Sequence, residues 1–183
     1  MIYEIRNDGI NKYAVLAGDY SVDPLGQLFE TNGSPLQWPA PPFVQTILKH
    51  RKKTKSPRAD FSHLWFGSIV LSQRAYLLLH EFLAPFGQLL ELNCEGEPEF
   101  FYNVTKLLPC IDQEHSEFDE YQLVKRPAFF SEFDQEVPLI FKDALTARIC
   151  IYINQVAKEK LEKIVQEHAL TGIKFSIPGS SPY

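Results

Sequence analysis

Residues 66–103, FGSIVLSQRAYLLLHEFLAPFGQLLELNCEGEPEFFYN, carry the densest apolar patterning in the chain and most constrain its fold. Residues 68–71 are a short β-favouring run. Ser72 follows where a helix N-cap belongs, its hydroxyl placed to accept from the first free helical N–H groups. Residues 73–84 are mostly good helix formers, and Tyr76, Leu79 and Leu83, with Leu78 and Phe82, make a wide apolar stripe. Pro85 and Gly87 stop that helix. Residues 89–92 resume an extended run, and residues 100–104 read as a further strand. A strand, a capped helix and two more strands across an acidic turn predict the core of an α+β domain. No recognisable chemistry sits in it.

The rest of the chain extends the same pattern. Residues 138–141 and 149–153 are plausible strands. Asn154 then caps a second helix over 155–167, with a stripe of Ala157, Leu161, Ile164 and Val165, and residues 173–177 return as a strand. The expected fold is α+β: a mixed or mostly antiparallel sheet with two main helices, about 73–84 and 155–167, packed on it. At the N-terminus, residues 2–6 and 12–17 flank Asn7-Asp8-Gly9, which predicts a β-hairpin. One short strand is expected at 27–30, and a short helix at 105–111. Pro39, Pro41 and Pro42 in LQWPAPPF force an extended arm with Trp38 as its packing anchor. Residues 43–50 suit two helical turns leading into the basic run 49–58, KHRKKTKSPR. The chain thus divides into residues 1–59, a variable N-terminal subdomain of hairpin, Pro-rich arm and basic loop, and residues 60–183, the core.

A length of 183 residues suits one domain, or one with a small subdomain appended, and 45% hydrophobic with 22% charged residues places the chain among soluble globular proteins. No secretory signal opens it, no apolar run approaches the roughly 18 residues of a membrane span, and the three cysteines are odd in number and widely spaced. A cytoplasmic location, without membrane association, is the expectation. Enzyme signatures are missing: no nucleophile elbow, phosphate loop or dinucleotide fingerprint occurs, and Ala84 stands where a second zinc-binding His would follow His80-Glu81. No catalytic residue, metal site or cofactor is expected. The net charge of −5 argues against a nucleic-acid partner, and the basic run 49–58 lacks the aromatic platforms such binding favours.

One feature has functional leverage. Between residues 95 and 136 eleven carboxylates face only Lys106, Lys125 and Arg126, a local charge of −8. Such crowding gains nothing for folding, and it suits a surface kept for a basic partner, whose approach it would steer. Aromatic residues are interleaved with the acids, from Phe100, Phe101 and Tyr102 to Phe129, Phe130 and Phe133. The candidate partner-binding residues are Glu114, Glu117, Phe118, Asp119, Glu120, Tyr121, Glu132, Asp134 and Glu136. The alternative is that most of these rings are core and the acids only solubilise the protein.

The order of motifs carries a resemblance. Asp60-Phe61 precedes SIVLSQRAYLLL (68–79), then comes YNVTKLLPCID (102–112) with Ser116 and Asp119 just after, and the chain closes on Leu170-Thr171-Gly172-Ile173-Lys174-Phe175. Over residues 60–175 this resembles a family of bacterial immunity proteins from polymorphic toxin systems; the Trp38-Pro39 arm is similar to the family's N-terminal part, whereas residues 49–58 depart from its pattern. The resemblance implies a small α+β, non-enzymatic protein made beside a secreted toxin, which it binds and neutralises. It offers no catalytic residues. Tyr102, Asn103 and Asp112 match the pattern as structural residues: a core aromatic, an Asn bonded to a turn, and an Asp capping a helix. A homodimer is compatible with the aromatic excess. Two other classes stay open: a small hydrolase using a cysteine or a carboxylate pair such as Glu114 with Glu117, and a nucleic-acid-binding module using residues 49–58.

Overall fold

The computed structural model describes residues 1–8, 12–23, 25–47, 56–133 and 136–180. Among these the elements run β1 (Ile2–Asn7), β2 (Val15–Gly18), β3 (Phe43–Ile47), β4 (Phe61–Ser62), β5 (Ile69–Ser72), α1 (Gln73–Leu83), β6 (Gly87–Cys94), β7 (Glu97–Val104), β8 (Ile111–Phe118), β9 (Val124–Phe129), β10 (Ile140–Phe141), β11 (Tyr152–Asn154), α2 (Gln155–Glu167) and β12 (Ile173–Ser176). The fold is α+β, as the patterning predicts.

Both helices start where expected. The Ser72 hydroxyl accepts from the Ala75 N–H at 3.2 Å, and the Asn154 carboxamide oxygen accepts from the Ala157 N–H at 3.0 Å. The first helix passes into a single 3-10 turn over Ala84–Phe86, with Pro85 inside it.

β6, β7, β5 and β4 form successive antiparallel pairs, and β3 joins β6 in parallel and β2 in antiparallel register. This six-stranded sheet curls on itself. The Leu16 N–H donates to the His63 carbonyl and the Ala14 N–H to the Pro57 carbonyl, both at 2.9 Å, so its two ends meet. Inside the curl Leu16, Val44, Val70, Leu92 and Phe101 surround a plug made by the 27–38 segment. Trp38, the expected anchor of the Pro-rich arm, packs into that plug: its indole N–H donates to the Leu28 carbonyl at 3.0 Å, and its ring meets Phe29 and Phe101 edge-on.

The second sheet has the order β10-β11-β1-β12, antiparallel throughout. Period-two alternation gives it two buried faces. Ile5, Ile140 and Ile153 point into the main core with Leu79 and Leu83 of α1 and Ala157 and Leu161 of α2, while Ile2, Phe141 and Tyr152 point to the opposite side.

Several expectations are corrected. β1 and β2 do not form a hairpin; they belong to different sheets, because β1 finds its partners at the other end of the chain. Residues 43–47 are a strand and not helical turns. Val44 and Thr46 face in while Phe43, Gln45 and Ile47 face out, which is a strand period. Gln27–Phe29 is a 3-10 turn in place of a strand, and residues 105–110 hold no helix. The strands of residues 1–59 are shared between both sheets: β1 pairs with β11 and β12, and β3 pairs with β6. Tyr102 is a core aromatic whose hydroxyl donates to the Leu83 carbonyl, and Asn103 bonds the Ser34 carbonyl of a loop.

The two sheets are stitched by Asp60. Its carboxylate accepts from the Ser72 hydroxyl at 3.1 Å, from the Thr171 N–H at 2.9 Å and from the Thr171 hydroxyl at 3.1 Å. Next to it Gly172 holds φ 95° so close to the Phe61 carbonyl that a Cβ would come within 2.2 Å of that oxygen. Asp60→Ala, read by urea denaturation, is expected to cost about 2–4 kcal/mol because it removes a charged acceptor from three donors. Glu81→Ala, on the outer face of α1, should move stability by less than about 0.5 kcal/mol.

Candidate functional site

The acidic stretch does not fold as one belt. Glu95 and Glu97 lie at the β6–β7 turn, where the Thr46 hydroxyl donates to Glu95, and Glu99 is half-buried in an ion pair with Arg58. That turn is at the end of β7 opposite to Val104, from which the chain leads to β8. The remaining described carboxylates lie on the β8–β9 ribbon and just beyond it.

Acidic and polar side chains on both of its faces hid this ribbon from an apolar periodicity test. Ile111 pairs with Phe129 at its root, and Phe129 packs edge-on against Tyr152 at 5.0 Å, which covers the outer face of the second sheet. Higher up, Asp112 lies opposite Ala128 and Glu117 opposite Arg126, so residues 113–116 bulge out across from Pro127. Pro127 has no N–H to give the ladder, and the register breaks there. The Asp112 carboxylate closes the bulge. It accepts from the Glu114 N–H at 3.0 Å and lies 2.7 Å from His115 Nδ1, which holds its carboxyl below the ordinary value. Ser116 accepts from the Ala128 N–H at 2.8 Å and so restores the pairing. Asp112 therefore closes a strand bulge where a helix cap is anticipated.

At the tip Asp119 accepts from the N–H groups of Tyr121 and Leu123, both at 2.9 Å, while Gln122 takes the left-handed φ of 62°. Along β9 the tail braces the ribbon. Gly179, at φ 74°, sits where a Cβ would fall 2.8 Å from Arg126 Cα, and Arg6 donates to the Ser180 carbonyl at 3.2 Å.

The candidate residues now sort by what already occupies them. Glu117 pairs with Arg126 at 2.9 Å, Asp119 is spent on the turn and Phe118 is half-buried. Glu114, Glu120, Glu132 and Glu136 are exposed and make no ion pair or side-chain hydrogen bond among the described residues. Tyr121 is 75% exposed and Leu123, which spacing did not single out, 62%. Asp134 and residues 49–55 of the basic run lie outside the described residues. Of the interleaved rings, Phe101 and Tyr102 are core, Phe100 stacks on Tyr76 and Phe133 packs against the core under the ribbon, so only Tyr121 and Phe130 are left exposed. For the rings, the core alternative is largely right.

The ribbon is rooted in two buried residues that sequence reading missed. The Asp143 carboxylate accepts from the N–H groups of Cys110 at 2.8 Å, Ile111 at 3.0 Å and Leu145 at 2.9 Å. The fully buried Lys142 ammonium donates to the Ala147 carbonyl at 2.7 Å and the Thr31 carbonyl at 3.2 Å. Burial pushes its pKa down to about 7.

Cys94 and Cys110 are buried and Cys150 is half-buried. Burial raises the pKa of Cys94 and Cys110, the latter further beside Asp143, and pushes Cys150 up to about 12. Among the described residues no group of three or more His, Cys, Asp and Glu side chains is placed to hold a metal ion, and no helix is long and apolar enough to cross a membrane. Comparison of the chain with protein-family models gives no match, and comparison with curated proteins gives none.

Between about pH 7, where the folded chain releases the Lys142 proton, and the ordinary lysine value of 10.5, only the unfolded chain keeps it. Stability must therefore rise with pH through the lower part of that window. In Lys142→Met this contribution disappears. Chemical denaturation at pH 6.5, 7.5 and 8 should give wild type a slope larger than that of the variant, by up to about 1.4 kcal/mol per pH unit.

Proposed function

We propose that this is a non-enzymatic immunity protein, acting in the cytoplasm, that binds and neutralises a bacterial toxin bearing a locally basic surface, and that the β8–β9 ribbon is its docking element. One observation carries the reading. Tyr121 and Leu123 stand exposed at the tip of a braced hairpin whose Glu114 and Glu120 have no partner among the described residues. Folding gains nothing from that arrangement. An aromatic and an aliphatic anchor ringed by unpaired carboxylates suit a basic protein surface, which the acids attract from a distance and the anchors hold on contact. The ribbon is also short of conformational freedom, with its tip capped by Asp119 and its side braced by Gly179, which lowers the ordering cost of binding. The resemblance of residues 60–175 to immunity proteins points the same way.

The experiment pairs the purified protein with the C-terminal domain of a secreted toxin encoded by the neighbouring reading frame. A stoichiometric complex is expected, with an association rate that falls steeply as salt is added. Glu114→Lys, Glu120→Lys and Tyr121→Ala together should slow association at least about tenfold. The melting temperature should move by less than about 3 °C, since all three side chains are exposed. Glu117 and Asp119 are left intact because they hold the ribbon together. Unchanged binding by the triple variant would remove the ribbon as the docking element. Failure of the wild type to bind or inhibit the toxin would remove the immunity reading itself.

A further inference from the structure

At the root of the ribbon, on the side of the bulge, an open cleft of about 530 Å³ lies between residues 109–114 and the turn at 143–145. Its walls are largely apolar. Phe130, 42% exposed, and Leu145, 46% exposed, face it together with Pro109, Ile111 and Ala144. Its acidic groups are unequal. Asp143 is saturated by three backbone N–H groups, and Asp112 is engaged by the Glu114 N–H and His115. Among the described residues Glu114 makes no ion pair or side-chain hydrogen bond, and no basic side chain lines the cleft. The cleft therefore joins an apolar wall, which includes the Phe130 ring, to one carboxylate, Glu114, that has no countercharge among the described residues.

We propose that this cleft receives an arginine side chain presented by the partner protein, its aliphatic stem lying along Leu145 and Ile111 and its guanidinium meeting Glu114 and the Phe130 ring; this rests on the docking role of the ribbon. Charge complementarity selects the cation, and the apolar wall selects a long stem over a small ion. Arginine is preferred to lysine for two reasons. Its planar head can stack on Phe130, and it presents a fork of donors to a carboxylate, whereas an ammonium is a strongly hydrated point charge. Arginine is also among the residues that most often anchor protein–protein interfaces. The cleft would then be a second contact, at the foot of the hairpin whose tip carries Tyr121.

The cleft is tested without the toxin, by following backbone amide resonances of the whole protein during titration with N-acetyl-arginine methylamide. N-acetyl-lysine methylamide and N-acetyl-norleucine methylamide serve as controls. Saturable shifts are expected at Glu114, Phe130, Ala144 and Leu145, in the millimolar range for one side chain. Lysine should bind at least about threefold more weakly, and norleucine should produce no saturable shift. Glu114→Gln should weaken the arginine probe at least about fivefold with the rest of the spectrum unchanged, as fits an exposed bulge residue. Equal shifts from norleucine, no response at these residues, or indifference to Glu114→Gln would each overturn the proposal. A toxin complex that depends on the ribbon tip while the cleft ignores arginine would sink this inference alone. A cleft that takes arginine in a protein that binds no toxin would instead sink the immunity reading.

Discussion

Lys142 and Asp143 are adjacent and buried, and the head group of each is spent on backbone groups. Asp143 collects the N–H groups at the ribbon root, and Lys142 reaches the carbonyl of Thr31 in the plug of the curled sheet. The backbone of Lys142 adds bonds to Lys106 and Leu108 on the link from β7 to β8. One dipeptide following β10 thus fixes the second sheet, the plug and the ribbon relative to one another. A buried charged or polar head group is costly unless the surroundings supply donors or acceptors in the right places. Here they are main-chain groups, whose positions follow from the fold itself. Ribbon geometry is consequently a property of the whole molecule and not of the hairpin alone.

What the sequence made legible was local. Ser72 and Asn154 announce their helices because a cap is a contact between residues three apart, and the apolar stripes of α1 and α2 have a clear period. Pairing choices were not legible. Asn7-Asp8-Gly9 is a sound turn signal, but it says only that the chain changes direction; β1 is claimed by β11 and β12 from the far end. β3 does not read as a strand in the sequence, because FVQTI is too short for its two-residue period to stand out from neighbouring residues.

The candidate site was legible in composition and illegible in geometry. Counting carboxylates along the chain merged the β6–β7 turn with the ribbon, although β7 separates them by its full length. Nor does sequence reveal which acids are already used. Glu117 and Asp119 read like Glu114 and Glu120 until Arg126 and the turn amides are placed beside them. A hint was present: Asp119-Glu-Tyr-Gln-Leu123 has the spacing of an acid-capped turn, and a strand on either side would have followed. Lys142 and Asp143 gave no signal, since ordinary charged residues betray nothing of their burial in a single sequence.

Pro127 has a consequence for solubility. A two-stranded ribbon presents unpaired backbone along its flanks, and such flanks are templates on which further strands can stack without limit. The proline withholds one amide from β9, and the bulge of residues 113–116 throws β8 out of line at the same level. Neither flank offers a long straight run for another chain to copy. The kink lets an acidic finger stand at the surface with little tendency to seed filaments.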